Sequence, residues 1–495
     1  MSKLLKHTFL FSSATLISRL LGLLRDAAFA HYFGVSAEYD AYLVAILLPF
    51  FLRHIFAEGA FSSAFIPLFS RKEGKDAQIF FSTAFWFIAI STTLLYIPVF
   101  IFSDKIVLIL GSGLTGSQIT LTSFLLKITY PFIIFISLWA LISGTLNTKD
   151  IYFIPAFAPS LSNISSILFI VLSSFFVPKI LGPAIGFTLG GLLQFILVFF
   201  MLRKIKFRIT FDFNSKDLKQ ILNLFGPALL GVAVTTLNTV IDTNIATWTG
   251  IGGVSTIQYA LRIYQLPLGI FAVSVANALL PKLSFSSSKV DNKDYEKNLK
   301  DSIELTLFFT IPATLGLLFL NKEIVALIYQ HGSFTYQDTI NTAQVLFFYS
   351  LGLPFYSLHT IFIRTFHSKL NTKYPSIVAV IMLLVNTILD IILAFRFGVV
   401  GIAAATAISG VVGMLMTGFS SFKYLNIKDW LEILKIFGAS FIMTLFIVTV
   451  REYFQSRFMI IVLIILSAIV YFLGAYLLRS KKLNSAVRII FRKNK

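Results

Sequence analysis

The chain of 495 residues contains no cysteine. Disulfides, thiolate nucleophiles and cysteine-ligated metals are therefore excluded, and there is no redox clue to compartment. Charge is also scarce: Asp, Glu, Lys and Arg make up 13% of the chain, about half of the roughly 25% usual in soluble domains. Acid is scarcer than base, 22 residues against 41, for a net charge of +19. The six histidines show no metal-ligand spacing, and His54 and Glu58, four apart, read as a helix pair. No loop is long enough to hold a folded soluble domain. What the chain has in excess is apolar residues, 57% with a mean hydropathy of +0.85. At roughly 20 apolar residues per bilayer-spanning helix, that is material for about fourteen spans. A soluble enzyme, a nucleic-acid-binding protein, a coiled coil and a disordered chain are excluded. So is a bacterial β-barrel, whose strands would alternate rather than run unbroken.

The apolar runs predict an all-α polytopic membrane protein with fourteen transmembrane helices. Their rough ranges are 8–33, 41–69, 78–102, 119–145, 154–177, 183–202, 221–248, 255–281, 301–320, 338–366, 375–396, 399–422, 431–450 and 458–478. The first run carries Arg19, Arg25 and Asp26, unlike the short uncharged core of a signal peptide, and reads as a retained span. The Ser- and Lys-rich stretch 282–300 reads as a flexible connector. Residues 322–334 are too short to span and read as an interfacial piece. The 54 phenylalanines read as lipid-facing bulk, and the Gly-rich 182–191 as a close helix contact.

Placing the N-terminus in the cytoplasm and alternating puts about 28 Lys and Arg inside and about six outside. That bias fits an even number of spans with both termini cytoplasmic. Faint internal matches suggest a repeat. Leu146–Lys149 recurs as Leu370–Lys373, Ile66–Ser70 resembles Leu280–Ser284, and Gly182–Gly186 resembles Gly398–Gly401, at offsets of 224, 214 and about 216. Two six-helix lobes in parallel pseudo-repeat follow, 1–210 and 211–424, with two added helices and a basic tail over 425–495. Transporters of this design hold substrate between the lobes.

Charge at bilayer depth is costly and usually faces a protein interior or a wet gap. Arg19, Arg25, Arg53 and Arg262 lie well inside predicted spans, with Asp26 and Glu58 as the nearby acids. Arg19 and Asp26, seven apart, share a helix face, and Arg25 points about 120° away from Arg19. Gly22, Pro49 and Pro267 are positions where a helix can bend. One reading is a cationic cavity for an anionic substrate, since guanidinium grips phosphate through paired donors. The other is structural: arginines paired with Asp26 and Glu58 or capping helix ends. Four bases against two acids favours the first. Lys127 and Arg364, nearer span ends, read as snorkelling.

A second constellation is acidic. Asn238 and Asp242 form an Asn-x-x-x-Asp pair, and Asn386 and Asp390 repeat the spacing, each pair on one helix face. Two carboxylates with amide oxygens suit a hard cation or a proton. Thr406 offers a hydroxyl and Ile402 a carbonyl. The set reads either as a coupling site for Na+ or H+ or as two unrelated pairs gluing helices. No other cofactor is called for.

The runs Ser18–Asp26 and Leu48–Phe61, the segments Leu146–Thr148 and Pro155–Pro159, and Tyr259–Gly269 around Arg262 resemble the MurJ/MviN lipid II flippases. These belong to the multidrug/oligosaccharidyl-lipid/polysaccharide exporter superfamily. The resemblance covers essentially the whole chain. It implies a two-lobed twelve-helix core with alternating access, and a two-helix addition whose groove holds an undecaprenyl tail. It also implies transfer of the lipid-linked peptidoglycan precursor from the cytoplasmic to the outer leaflet of the bacterial inner membrane. Arg19, Arg25, Asp26, Arg53 and Arg262 fall where that family places cavity charges, and Asp40 matches another family acid. Where some members carry an acid three residues after Arg262, this chain has Gln265. The expected partners are the undecaprenyl-pyrophosphate-linked disaccharide-peptide and membrane lipids, not nucleic acid, with the chain acting as a monomer.

No covalent chemistry is required, so the chain reads as a non-enzyme. The alternative is a cation-coupled multidrug or other polysaccharide-lipid exporter of the same superfamily. An intramembrane transferase or phosphatase would call for catalytic acids in a sizeable outer loop, and the loops are too short.

Overall fold

The computed structural model describes residues 3–58, 60–288, 292–422, 431–454 and 456–483. Within it, the side chain of Glu58 lies outside the described part. All regular structure among the described residues is helical. Among the described residues twelve helices are long and apolar enough to cross a bilayer, from Ala37–Ala57 to Arg457–Leu477. At the two other expected places stand helices of matching length, Lys3–Phe33 with 31 residues and Ser215–Thr247 with 33.

By contact the chain forms two compact units. One is Met1–Ser255 with His331–Phe334, and the other is Thr256–Gln330 with Thr335–Lys495. The helix Ser215–Thr247, which the repeat would assign to the second lobe, packs on Ala60–Phe69 within the first unit.

Two expectations are corrected. Residues 282–300 are mostly helix, in Ser274–Ser288 and Asn292–Phe319. Leu283, Tyr295 and Leu299 are buried there and give these Ser- and Lys-rich helices an apolar face. The phenylalanines are not only lipid-facing, because Phe56, Phe61, Phe65, Phe69, Phe80, Phe81, Phe85 and Phe225 build the core of the first unit. The expected span 119–145 stands as one candidate span, Gly116–Asn147, with its helix interrupted at Pro131 into Gly116–Thr129 and Phe132–Asn147. Residues 322–334 contain one short helix, Asn321–Tyr329. The Gly-rich stretch does make a close contact: a Cβ at Gly190 would stand 2.7 Å from the Ser162 backbone.

Proline inside a helix removes one N–H and leaves the carbonyl four residues earlier without its partner. In hydrocarbon such a carbonyl costs several kcal/mol unless something replaces the bond, hence the recurrent use of neighbouring side chains. Pro49 frees the Ala45 carbonyl, and the Thr129 hydroxyl donates to it at 3.3 Å. In the last turn before Pro131 the Lys127 carbonyl is likewise without an intrahelical partner, and the Tyr96 hydroxyl donates to it at 2.7 Å. Pro312 frees that of Phe308, and the Tyr471 hydroxyl donates at 2.5 Å. Each replacement bond comes from a different helix, so each also fixes how two helices pack.

Backbone geometry brings out the internal repeat. Downstream of Pro49 the helix Ala37–Arg53 gives way to a π-helical turn, His54–Glu58; directly after Pro267 stands another, Leu268–Val273. Asp150 and Leu370, both at positive φ (61° and 57°), end corresponding helices 220 residues apart. Each is followed by the same closing bond, Ile151 N–H to the Leu146 carbonyl and Asn371 N–H to that of Phe366. This register aligns Lys149 with Lys369 and Pro155 with Pro375. The four-residue match at offset 224 is therefore displaced by one helical turn.

The last two helices, Leu431–Val450 and Arg457–Leu477, pack together and with Asn292–Phe319. The segment after them is tied back. Lys482 Nζ meets Asp301 at 2.6 Å and Glu304 at 2.8 Å, and the Ser480 hydroxyl and Lys482 N–H donate to Glu432. Burial pushes the Lys482 ammonium down, but the two carboxylates outweigh it and its pKa ends above the ordinary lysine value.

Candidate functional site

The helix Lys3–Phe33 carries Arg19, Arg25 and Asp26. Asp26 is buried, and it pairs with its chain neighbour Arg25. The long arginine side chain folds back, so its Nη2 and Nε donate to Asp26 Oδ1 at 2.8 and 3.1 Å. Helical-wheel spacing misses this pairing because it counts Cβ directions and ignores the reach of a six-atom side chain.

A third group completes the arrangement, and the sequence reading did not find it. Asn163, on the neighbouring helix Phe153–Val171, accepts from Arg25 Nη1 at 3.2 Å. Its amide nitrogen donates to the Ser18 carbonyl at 3.0 Å. Gly22 faces the same amide: a Cβ there would lie 3.8 Å from Asn163 Nδ2. The glycine read as a bend lies inside one continuous helix and leaves room for the amide. One asparagine in an apolar helix gives no pattern signal, so only packing reveals it.

Arg19 is exposed on the same helix. Arg53 ends the helix Ala37–Arg53, half-buried, with its guanidinium 5.8 Å from the Phe50 ring centre. Arg262 is half-buried on Gly253–Pro267 in the second unit, and Gln265 beside it is exposed. Arg364 donates to Asn277 at 3.0 Å.

Asp40 is fully committed to backbone. Its two oxygens accept from the N–H groups of Gly252 at 2.6 Å and Ser255 at 2.8 Å, at the start of the helix Gly253–Pro267. A carboxylate at a helix N-terminus satisfies orphan donors and the helix dipole together. It offers an anion nothing but repulsion.

The acidic pairs both form as the spacing predicts. Asn238 donates to Asp242 at 3.1 Å, and Asn386 to Asp390 at 2.6 Å. Asp390 and Asn386 are buried in the second unit, at 0% and 1% exposure, whereas Asp242 is half-buried in the first. Thr406, on the helix Val399–Phe422 packed against that of Asp390, donates to the Ile402 carbonyl at 3.1 Å and keeps its oxygen lone pairs. Among the described residues no three His, Cys, Asp or Glu converge as metal ligands. A cation here would therefore take amide, hydroxyl and carbonyl oxygens alongside a carboxylate, a donor set suited to a hard monovalent ion.

The sequence profile described as "Lipid II flippase MurJ" matches residues 29–472. The chain belongs to the MurJ family of lipid II flippases. A MurJ protein of Thermosipho africanus, named a lipid II flippase, is 40% identical over 94% of this chain and 95% of its own. A probable MurJ flippase of Thermotoga maritima is 35% identical over 98% of both chains. A solved MurJ structure, described as an inward closed conformation, superposes with a TM-score of 0.85 at 41% identity, over 95% of this chain and 98% of that one. An inward-facing multidrug transporter of the MATE family shares the fold, with a TM-score of 0.70 at 14% identity over 84% of this chain and 98% of its own. MurJ membership makes this a multi-span membrane protein of lipid transport for cell-wall biogenesis, in a family of flippases and not of known catalytic enzymes.

Proposed function

We propose that the chain moves lipid II, the undecaprenyl-pyrophosphate-linked disaccharide-peptide, from the cytoplasmic to the outer leaflet of a bacterial inner membrane. The observation that carries this is the Arg25 guanidinium. It is held at bilayer depth by Asp26 and Asn163, and two of its five N–H groups remain uncommitted among the described residues. Pyrophosphate takes paired guanidinium donors. Arg19 and Arg53 of the first unit, and Arg262 of the second, are further candidate cations for the headgroup. Asp40, whose oxygens cap a helix, remains a candidate of the headgroup site.

The same reading has fourteen spans, both termini cytoplasmic and a single chain working by alternating access. The polyprenyl tail runs beside the two added helices. Asp390, Asn386, Thr406 and Ile402 of the second unit, and separately Asp242 of the first, bind Na+ or H+ and reset the cycle. The membrane potential is a further source of drive, about 2.3 kcal/mol per charge per 100 mV.

Depletion with complementation tests the function. Loss of the protein should trap lipid II on the cytoplasmic leaflet, and the wild-type gene should release it. Lipid II that still reaches the outer leaflet in depleted cells at the normal rate would refute the proposal.

A further inference from the structure

We propose that Asn163 is a positioning residue for the headgroup, acting through Arg25. The inference rests on the proposed role of Arg25 and names the group that makes that role possible.

An arginine side chain at bilayer depth has many rotamers and five donors, and an adjacent acid alone does not fix where the unused donors point. Asp26 takes Nε and Nη2. Asn163 takes one donor of Nη1 from another helix, 138 residues away in sequence. What remains is one N–H on each terminal nitrogen, the pairing that phosphate oxygens accept bidentately.

Asn163 is itself held. It is 9% exposed, its amide nitrogen is bonded to the Ser18 carbonyl, and Gly22 leaves it space. It thus reads two features of one helix at once, the backbone at Ser18 and the side chain at Arg25. A ligand that meets a guanidinium already fixed in this way avoids the entropy cost of ordering it.

Amide chemistry is specific here. The carbonyl oxygen accepts from Arg25 and the NH2 donates to Ser18. Leucine has the volume and neither function. Aspartate has the shape, but when ionised it supplies a second anion to Arg25 and no donor to Ser18. A protonated aspartate again has one acceptor and one donor, as the amide does.

The test uses the full-length chain purified in detergent, with labelled lipid II as probe and thermal unfolding as a check on folding. Asn163→Ala and Asn163→Leu should weaken lipid II binding about tenfold, the effect of about 1.4 kcal/mol. In an Arg25→Ala background the same substitutions should add nothing, because the residue they act through is gone. Asn163→Asp should bind poorly at neutral pH and recover as pH falls into the carboxylate range, while wild type shows no such gain. If Asn163→Ala fails to fold, Asn163→Asp and its pH profile still decide.

Wild-type affinity in both apolar variants, with affinity lost in Arg25→Ala, overturns this inference and leaves the proposed function standing. An Asn163→Ala penalty that persists undiminished without Arg25, or no recovery of Asn163→Asp at low pH, assigns the residue to packing and also overturns it. Wild-type affinity in Arg25→Ala removes the role proposed for Arg25.

Discussion

In the first unit a half-buried guanidinium keeps donors uncommitted, with a buried acid on one side and an amide on the other. In the second unit a carboxylate with no exposed surface accepts from an amide one turn away on its own helix. Both put charge where hydrocarbon penalises it, but with opposite geometry. The guanidinium presents spare donors, an arrangement for a polyatomic anion that brings its own oxygens. The carboxylate lies within a packed helix pair, with room only for a monatomic ion or a proton held by protein oxygens, as the proposed coupling role requires. Polarity and accessibility together, rather than charge alone, separate the two roles.

The comparison can be broken or sharpened in order of expected effect. Arg25→Ala should lower lipid II transport about 100-fold with folding retained, as loss of charged hydrogen bonds to substrate would. Transport measured in cells depleted of the native protein checks it, and near-normal rates would make the first site structural. Asp390→Asn should leave lipid II binding intact and abolish any rise in thermal midpoint on adding sodium. An unchanged sodium response would move the ion elsewhere.

The proline devices of the two units should fail alike. Thr129→Val strands the Ala45 carbonyl and Tyr471→Phe that of Phe308, each costing roughly 1–3 kcal/mol, read as a lower melting temperature in detergent. A loss in one unit only would show that the freed carbonyl finds another partner in the other. The smallest effect concerns the left-handed residues. Leu370→Gly should stabilise by about 1 kcal/mol, because a branched side chain pays the full penalty at positive φ. Asp150→Gly should gain less, since aspartate tolerates that conformation. Equal gains would mean that the aspartate side chain contributes nothing at that turn.

Most of the helices could be read from the sequence because unbroken apolar runs admit few alternatives. So could the acidic pairs, which are local: Asn386 and Asp390 meet because they are four apart. What escaped was non-local. Asn163 to Arg25, Thr129 to Ala45 and Tyr471 to Phe308 join residues 138, 84 and 163 positions apart. No periodicity within one helix encodes a bond between two. For the suggested repeat, the shared tetrapeptide gives an offset of 224 and the shared backbone turn one of 220, because identity over four residues and local backbone geometry are separate signals. The Asp26 partner was missed for the opposite reason: it is too close in sequence to be seen on a helical wheel.

The π-helical turn His54–Glu58 has a consequence for how this stretch is read and altered. One surplus residue in a helix advances everything beyond it by about 100° around the axis. Wheel diagrams drawn straight through Ala37–Phe69 therefore assign Phe61, Phe65 and Phe69 to the wrong neighbours. Deleting Ile55, Phe56 or Ala57 from that turn would change no charge, yet it would swing those three rings away from the helices they now fill.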